Sequence, residues 1–138
     1  MSRTDTFQGL GYKKLVLDIS TSTRTVLAEE SGATFTLSRA AGSTLTLPAA
    51  ATGLNYKFVV GVVLTGGIGY VIPSNPASKF FGPHNDAAGV AGGNAAGETT
   101  FTFVNDAALV GDFMETVSDG TNWYIFASAR TAASITCA

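Results

Sequence analysis

Cysteine and histidine are almost absent from this 138-residue chain, which contains one of each. A single cysteine, Cys137, excludes an internal disulfide and any metal site built from several cysteines. The single histidine, His84, is the only one that a Ser-His-Asp triad could use, and its Gly-Pro-His-Asn surroundings are typical of a mobile loop. The sequence therefore disfavours catalysis by His84, and we predict a protein that is not an enzyme and binds no cofactor or metal.

Charge is also scarce, because Asp, Glu, Lys and Arg make up 13% of the residues, against about 25% in an average soluble protein. The formal net charge is −2, and no basic cluster exceeds Lys13-Lys14, so the sequence predicts no nucleic-acid partner. It has no apolar run of about 18 residues that could cross a membrane, and its first residues lack the apolar core of a signal peptide. We expect synthesis in a cytoplasm and no membrane partner.

Helical periodicity is missing as well, because no stretch keeps a 3.6-residue apolar spacing over three turns. Alternation with a period of two is frequent instead, as where Phe35 and Leu37 alternate with threonines. A longer alternating stretch, residues 54–64, predicts a central strand. The pattern predicts an all-β fold, an antiparallel β-sandwich or distorted, jelly-roll-like barrel, in one domain over residues 12–138.

The same alternation predicts the core, which should combine large apolar side chains from most strands. Its expected members are Phe35, Leu47, Tyr56, Phe58, Phe101, Phe103, Trp123 and Ile125. Glycine-containing connections at residues 39–42 and 65–69 have the length and composition of hairpins, and Asp119-Gly120 is the strongest hairpin signal in the chain. We expect the hairpin at Asp119-Gly120 to close the core.

Two segments show no sustained period. Residues 1–11 form an extended N-terminal arm in this interpretation. Residues 82–97 are rich in glycine and alanine, offer few side chains to bury, and are predicted to lie in the longest and most mobile loop of the domain.

Other motifs that could take part in catalysis or ligand binding have simpler interpretations. Glu29 and Glu30 are neighbours at a turn, where solvated charges are a better interpretation than a carboxylate pair for glycoside chemistry. Asn85, Asp86 and Asn94 carry oxygen ligands but lack the spacing of a calcium loop. The glycines of residues 66–69 precede no Lys-Ser/Thr and no helix, which excludes a phosphate loop. Trp123 is expected in the core or an interface, with a sugar-binding platform as the open alternative.

Four blocks of sequence resemble small all-β structural proteins of tailed bacteriophages, and among these the cyanophage-type capsid decoration, or cement, proteins. The blocks are residues 42–48 (Gly-Ser-Thr-Leu-Thr-Leu-Pro), 53–58 (Gly-Leu-Asn-Tyr-Lys-Phe), 110–112 (Val-Gly-Asp) and 118–124 (Ser-Asp-Gly-Thr-Asn-Trp-Tyr). The resemblance extends in blocks over roughly residues 15 to 126. The Thr-Leu-Pro and Asp-Gly-Thr-Asn-Trp-Tyr blocks also resemble modules of phage tail fibres and baseplates.

The resemblance implies a homotrimer on the outer capsid surface of the virion, at a local three-fold axis, where it binds neighbouring major capsid proteins and stabilises the head. The class has no catalytic residues to transfer to this sequence. The alternative is a receptor-binding or tail-fibre or baseplate module. The short chain, without a coiled coil or shaft repeat, favours the decoration protein.

The N-terminal arm is the predicted capsid tether. Its backbone can pair in extended form with a strand edge of the partner. The expected capsid-binding side chains are Phe7, Leu10 and Tyr12, and an ordinary frayed terminus is the alternative.

Overall fold

The structure is a computed structural model that describes residues 13–92 and 95–138. In these residues thirteen strands form two sheets, a larger one of eight strands and a smaller one of five. The strands are β1 (Val16–Ile19), β2 (Thr23–Thr25), β3 (Thr34–Leu37), β4 (Ser43–Thr46), β5 (Asn55–Val60), β6 (Tyr70–Pro73), β7 (Phe80–Phe81), β8 (Pro83–Asp86), β9 (Gly89–Gly92), β10 (Thr100–Phe103), β11 (Phe113–Ser118), β12 (Trp123–Ser128) and β13 (Ile135–Cys137). A short 3₁₀ helix, Ala28–Glu30, precedes β3. The predicted all-β sandwich is confirmed.

The first six strands form a parallel β-roll. Odd-numbered strands β1, β3 and β5 lie side by side and parallel in the larger sheet, and β2, β4 and β6 do the same in the smaller sheet. Each connection therefore crosses from one sheet to the other. Each strand of the larger sheet and the strand that follows it in the smaller sheet form one rung of the roll, so that β1–β2, β3–β4 and β5–β6 are its three rungs. Leu17, Phe35 and Phe58 are register neighbours across these three rungs.

Mainly antiparallel strands extend both sheets beyond the last rung. In the larger sheet β11 pairs with β5 and then with β12, and the order of seven strands is β1-β3-β5-β11-β12-β8-β9. The eighth strand, β7, pairs in parallel with β12 on the side of β8. In the smaller sheet β10 pairs with β6 and then with β13. The central position predicted for the strand in residues 54–64 is confirmed, since β5 lies between β3 and β11.

The core lies between the inner faces of the two sheets. All eight residues predicted for it are at most 2% exposed. The rings of Phe35 and Phe58 are stacked with centroids 5.2 Å apart, and those of Tyr56 and Trp123 lie 5.8 Å apart. Trp123 is therefore a core residue and not a sugar-binding platform.

Arg24 covers the side of the core next to the first rung. On β2 it is the register neighbour of the buried Leu45, and its guanidinium lies 5.4 Å from the ring centroid of Phe35. Its charge is paired with the carboxylate of Glu30. A charged, inward-directed side chain on an edge strand discourages pairing with further strands.

The expected strand directions and two of the expected hairpins are wrong. The sheets are mixed rather than antiparallel, and residues 39–42 and 65–69 cross between the sheets instead of turning within one. Alternation determines which side chains of a strand point into the core. It does not determine to which sheet the strand belongs, or whether the strand runs parallel or antiparallel to its neighbours. The two connections stack on one another: a Cβ on Gly42 would lie 2.2 Å from the Gly69 carbonyl oxygen.

Residues 82–97 are also not the long loop that we expected, because β8 and β9 form a hairpin within them. Strand β8 pairs in parallel with β12, after an interruption at Gly82 whose Cβ would lie 2.2 Å from the Ile125 carbonyl oxygen. Main-chain hydrogen bonds with β12 and within the hairpin thus hold strands β8 and β9 in the larger sheet. His84 is buried at 6% exposure.

The hairpin predicted at Asp119-Gly120 is confirmed, since β11 and β12 pair antiparallel up to Ser118 and Trp123. The Asp119 Oδ1 accepts hydrogen bonds from the main-chain N–H groups of Thr121 and Asn122, both at 2.8 Å. Its Oδ2 accepts one from the Tyr124 hydroxyl at 2.8 Å. These bonds, the one from Asn122 foremost, lower the pKa of Asp119, and they close the turn.

Replacing Trp123 should be among the costliest single changes. Trp123→Ala is expected to lower the free energy of unfolding by about 3–5 kcal/mol, because it leaves a large cavity. Trp123→Phe should cost less, since it fills most of that volume and removes an indole N–H that has no hydrogen-bond partner among the described residues. Denaturant unfolding of both variants measures the difference, and equal losses would contradict the packing described here.

Candidate functional site

Apolar side chains project from the outer face of the larger sheet. On the adjacent strands β11 and β12, Val117 is 38% exposed, Tyr124 43% and Phe126 56%. Strand alternation directs them outward, since their neighbours in sequence point into the core. We use the name "sheet face" for the outward residues of β5, β11 and β12: Asn55, Lys57, Val59, Phe113, Glu115, Val117, Tyr124, Phe126 and Ser128.

An ion pair lies in the middle of the sheet face. Lys57 and Glu115 are register neighbours on β5 and β11, with Nζ and Oε1 3.4 Å apart. The Lys57 ammonium is also 4.9 Å from the ring centroid of Phe113. Both side chains remain partly exposed, at 36% and 51%. They are the only charged side chains on the sheet face, which is otherwise apolar or neutral.

A shallow depression of about 200 Å³ lies at the border of the sheet face. Its lining mixes Lys14, Asn55 and Glu115 with Val117 and Phe126. These groups contact solvent and bring no nucleophile next to a base. The depression therefore has the properties of an ordinary surface groove between neighbouring strands.

A second apolar surface lies at one end of the sandwich, where β5 ends and β11 begins. We use the name "apolar end" for five exposed aliphatic residues of two neighbouring loops. They are Val62 (38% exposed), Val63 (41%), Ile68 (61%), Leu109 (37%) and Val110 (50%).

Main-chain hydrogen bonds hold these two loops together. Gly111 donates to the Val60 carbonyl oxygen at 2.8 Å, and Gly66 donates to Asn105 Oδ1 at 3.0 Å. The Tyr70 hydroxyl donates to the Val62 carbonyl oxygen at 2.9 Å. Burial raises the pKa of Tyr70, which keeps this hydroxyl protonated as a donor. The apolar end is therefore a preorganised surface.

Buried Asp112 supports the loop that carries Leu109 and Val110. Its Oδ2 accepts a hydrogen bond from the Leu109 N–H at 2.8 Å. Its Oδ1 lies 3.5 Å from Arg130 Nε, and the Arg130 guanidinium also donates to the Val110 carbonyl oxygen. The carboxylate is satisfied by these partners, which explains how a charge at 2% exposure is accommodated.

The single histidine and the single cysteine of the chain, His84 and Cys137, lie in contact with each other. Strands β8 and β13 place Cys137 Sγ 3.6 Å from His84 Nδ1. Burial, with a contribution from Glu98, raises the pKa of the Cys137 thiol to about 12. A nucleophilic cysteine requires a lowered pKa, so this pair has the properties of a structural contact.

Glu30 and Asp86, two of the acidic residues considered from the sequence, have structural partners. Glu30 is paired with Arg24 and accepts a hydrogen bond from the Leu27 N–H at 2.9 Å. Asp86 accepts bonds from the N–H groups of Ala88 and Ala133 at 2.8 and 2.7 Å. Residues 13–92 and 95–138 contain no group of three or more His, Cys, Asp or Glu that could hold a metal ion. Asn94 lies outside the described residues.

The predicted capsid-binding residues Phe7, Leu10 and Tyr12 also lie outside the described residues. The two apolar surfaces were not predicted. The sequence signal for the apolar end was the pair of aliphatic dipeptides Val62-Val63 and Leu109-Val110, each next to a glycine at a strand end.

A scan against models of known protein families, a search of curated proteins and a search of solved structures each found no match. Within the described part of the chain, no helix is long and apolar enough to span a membrane.

Two adjacent glycines test whether the apolar end is rigid. Gly66 and Gly67 have nearly equal positive φ angles of 102° and 103°, but a Cβ would meet nothing within 4 Å at Gly66 and would lie 2.0 Å from the Ala41 carbonyl oxygen at Gly67. Each alanine variant should lose about 1–2 kcal/mol through the unfavourable φ, and Gly67→Ala should lose more through the clash. Thermal unfolding of the two alanine variants measures the difference in stability between them. Equal melting temperatures would show that the loop moves to accommodate the added methyl group and is not rigid.

The thiol of Cys137 should react slowly in the native protein. Its pKa is raised from 9.0 to about 12, so alkylation by iodoacetamide at pH 8 should be at least about tenfold slower than in denaturant. Because the folded pKa exceeds the unfolded one, the protonated thiol contributes stability below pH 9 that is lost as the pH rises toward 12. Cys137→Ser gives the background rate, and a native rate that levels off below pH 9 would contradict the assignment.

Proposed function

We propose that this chain is a capsid decoration protein of a tailed bacteriophage, bound to the major capsid protein on the outer surface of the head. The resemblance of four sequence blocks to that class motivates the proposal. In the fold, residues 110–112 belong to the loops of the apolar end, and residues 53–58 and 118–124 supply strands of the sheet face. Three of the four resembling blocks therefore coincide with parts of the two exposed apolar surfaces.

The observation that carries the proposal is the presence of two separate apolar surfaces on one domain. A cement protein must bind its neighbours and the shell, so it needs at least two binding surfaces and no catalytic pocket. The aliphatic side chains of the apolar end stand on loops fixed by hydrogen bonds. Such preorganised apolar groups can enter depressions of a partner with little loss of conformational entropy.

We further propose that the protein acts as a homotrimer at local three-fold axes of the capsid, contacts the shell through the apolar end and catalyses no reaction. The N-terminal arm with Phe7, Leu10 and Tyr12 remains the predicted additional tether, which an extended segment can provide by strand pairing with the partner.

A tail-fibre or baseplate module is the second candidate, and the parallel β-roll favours it. Strands β1 and β2 are the outer strands of their sheets in the described part of the chain. Further rungs of a fibre could continue a parallel roll at such edges, although the Arg24–Glu30 pair opposes this.

Binding to undecorated heads of the source phage tests the proposal. Ile68→Asp and Val110→Asp should each weaken co-sedimentation with heads at least about tenfold, because a carboxylate must be desolvated in an apolar contact. The matched control is Leu27→Asp, since Leu27 is 51% exposed at the opposite end of the sandwich. A variant lacking residues 2–10 reports on the tether in the same assay.

Three results would contradict the proposal or its details. Failure of the wild-type protein to bind heads, with labelling of tails in electron micrographs, would identify the fibre module instead. Unchanged binding by both aspartate variants would remove the apolar end from the contact. Unchanged binding after removal of residues 2–10 would show that the arm is an ordinary terminus.

A further inference from the structure

We infer that the sheet face is the surface through which copies of this chain assemble, with Lys57 of one copy opposite Glu115 of the next. The occupant is thus a second copy of the chain. The inference deepens the proposed function by assigning the self-association surface, and it rests on that function only for the role of the assembly.

The apolar composition of the sheet face is the first argument. Tyr124 and Phe126 offer ring surface to solvent, and Val59 and Phe113 are adjacent in the register beside them. Aromatic side chains are enriched in protein interfaces, where they bury a large area with little loss of side-chain entropy. Val117, Tyr124 and Phe126 remain exposed to solvent within the described part of the chain.

The charges identify the partner. Lys57 and Glu115 lie side by side on β5 and β11 and leave the sheet face with no net charge. A strongly acidic or basic partner therefore gains nothing from it, whereas a second copy presents the same pair. Association of opposite charges across an interface also sets the register between subunits.

Rotational symmetry brings the two charges together without further adjustment. A two-fold axis parallel to the strands and between β5 and β11 sets Lys57 of each copy opposite Glu115 of the other. A three-fold axis in the same position joins the Lys57 side of one copy to the Glu115 side of the next. Closed cyclic symmetry of either order is typical of soluble oligomers.

The neighbouring strands β1 and β3 widen the surface beyond the sheet face, and their outward residues add one exposed carboxylate, that of Asp18. At about 4.8 Å per strand and at most about 20 Å of strand length, the five strands β1, β3, β5, β11 and β12 present at most about 450 Å² in projection. Projecting side chains increase the accessible area. The result is within about a factor of two of the ~800 Å² per partner buried in a standard interface.

Charge reversal with mixing tests the inference. Lys57→Glu gives a sheet face with two carboxylates, and Glu115→Lys gives one with two ammonium groups. Each variant alone should assemble at least about tenfold more weakly than the wild type, because like charges then meet across the interface. A one-to-one mixture of the two variants should recover association between unlike chains, because opposite charges then meet at every contact of a two-fold dimer and at two of the three contacts of a three-fold ring.

Light scattering and analytical ultracentrifugation measure the masses, and circular dichroism checks that each variant is folded. Ile68→Asp, at the apolar end, is the matched control and should assemble like the wild type. Phe126→Ser should weaken assembly at unchanged charge. Assembly of both charge variants at wild-type strength, a mixture no larger than its components, or a monomeric wild type at about 100 μM would each overturn the inference.

Capsid co-sedimentation separates this inference from the proposed function. A monomeric wild type that binds heads would end the inference and leave the decoration role intact. A wild type that assembles through the sheet face but binds no heads would support the inference and end the decoration role.

Discussion

The packing of aromatic rings between β5 and the C-terminal hairpin is the interaction on which the rest of the structure depends. Tyr56 and Trp123 are 5.8 Å apart between ring centroids, and β11 lies between their strands, so their contact holds the hairpin to the last rung of the roll. Since successive residues of a strand point to opposite faces, placing these rings inside forces the residues beside them outward. Lys57, Tyr124 and their neighbours are exposed for that reason. The sheet face is thus a geometric consequence of the core.

The inner residues could be predicted because burial is a local property of the alternating pattern. Large apolar side chains at every second position leave one face that must be covered, and Phe35, Phe58 and Trp123 were identified on that basis alone. Pairing direction has no such local signal. Leu17, Phe35 and Phe58 share a line of the register through connections that cross between sheets, and those crossings depend on close backbone contacts such as that of Gly42 with Gly69. The antiparallel expectation failed at this point.

The candidate surfaces escaped prediction for a related reason. Val62 and Leu64 have the spacing of two inward residues, but β5 ends at Val60, where Gly61 donates to the Leu37 carbonyl oxygen. Beyond that point Leu64 returns to the core at 2% exposure while Val62 remains 38% exposed. The contact of His84 with Cys137 likewise joins residues 53 positions apart. Termination of a strand and contacts between distant segments both depend on the assembled sheets.

The two apolar surfaces have orientations that suit them to different tasks. The apolar end lies where strands β5 and β11 meet their loops, whereas the sheet face runs along the strands. Rotation about an axis parallel to the strands leaves the strand direction unchanged, so copies joined through the sheet face direct all their apolar ends the same way. In the proposed decoration role, several weak contacts with the capsid would then act together, and the effective concentration of the second contact can reach the millimolar range. Assembly through the sheet face would therefore convert modest aliphatic contacts at the apolar end into durable attachment.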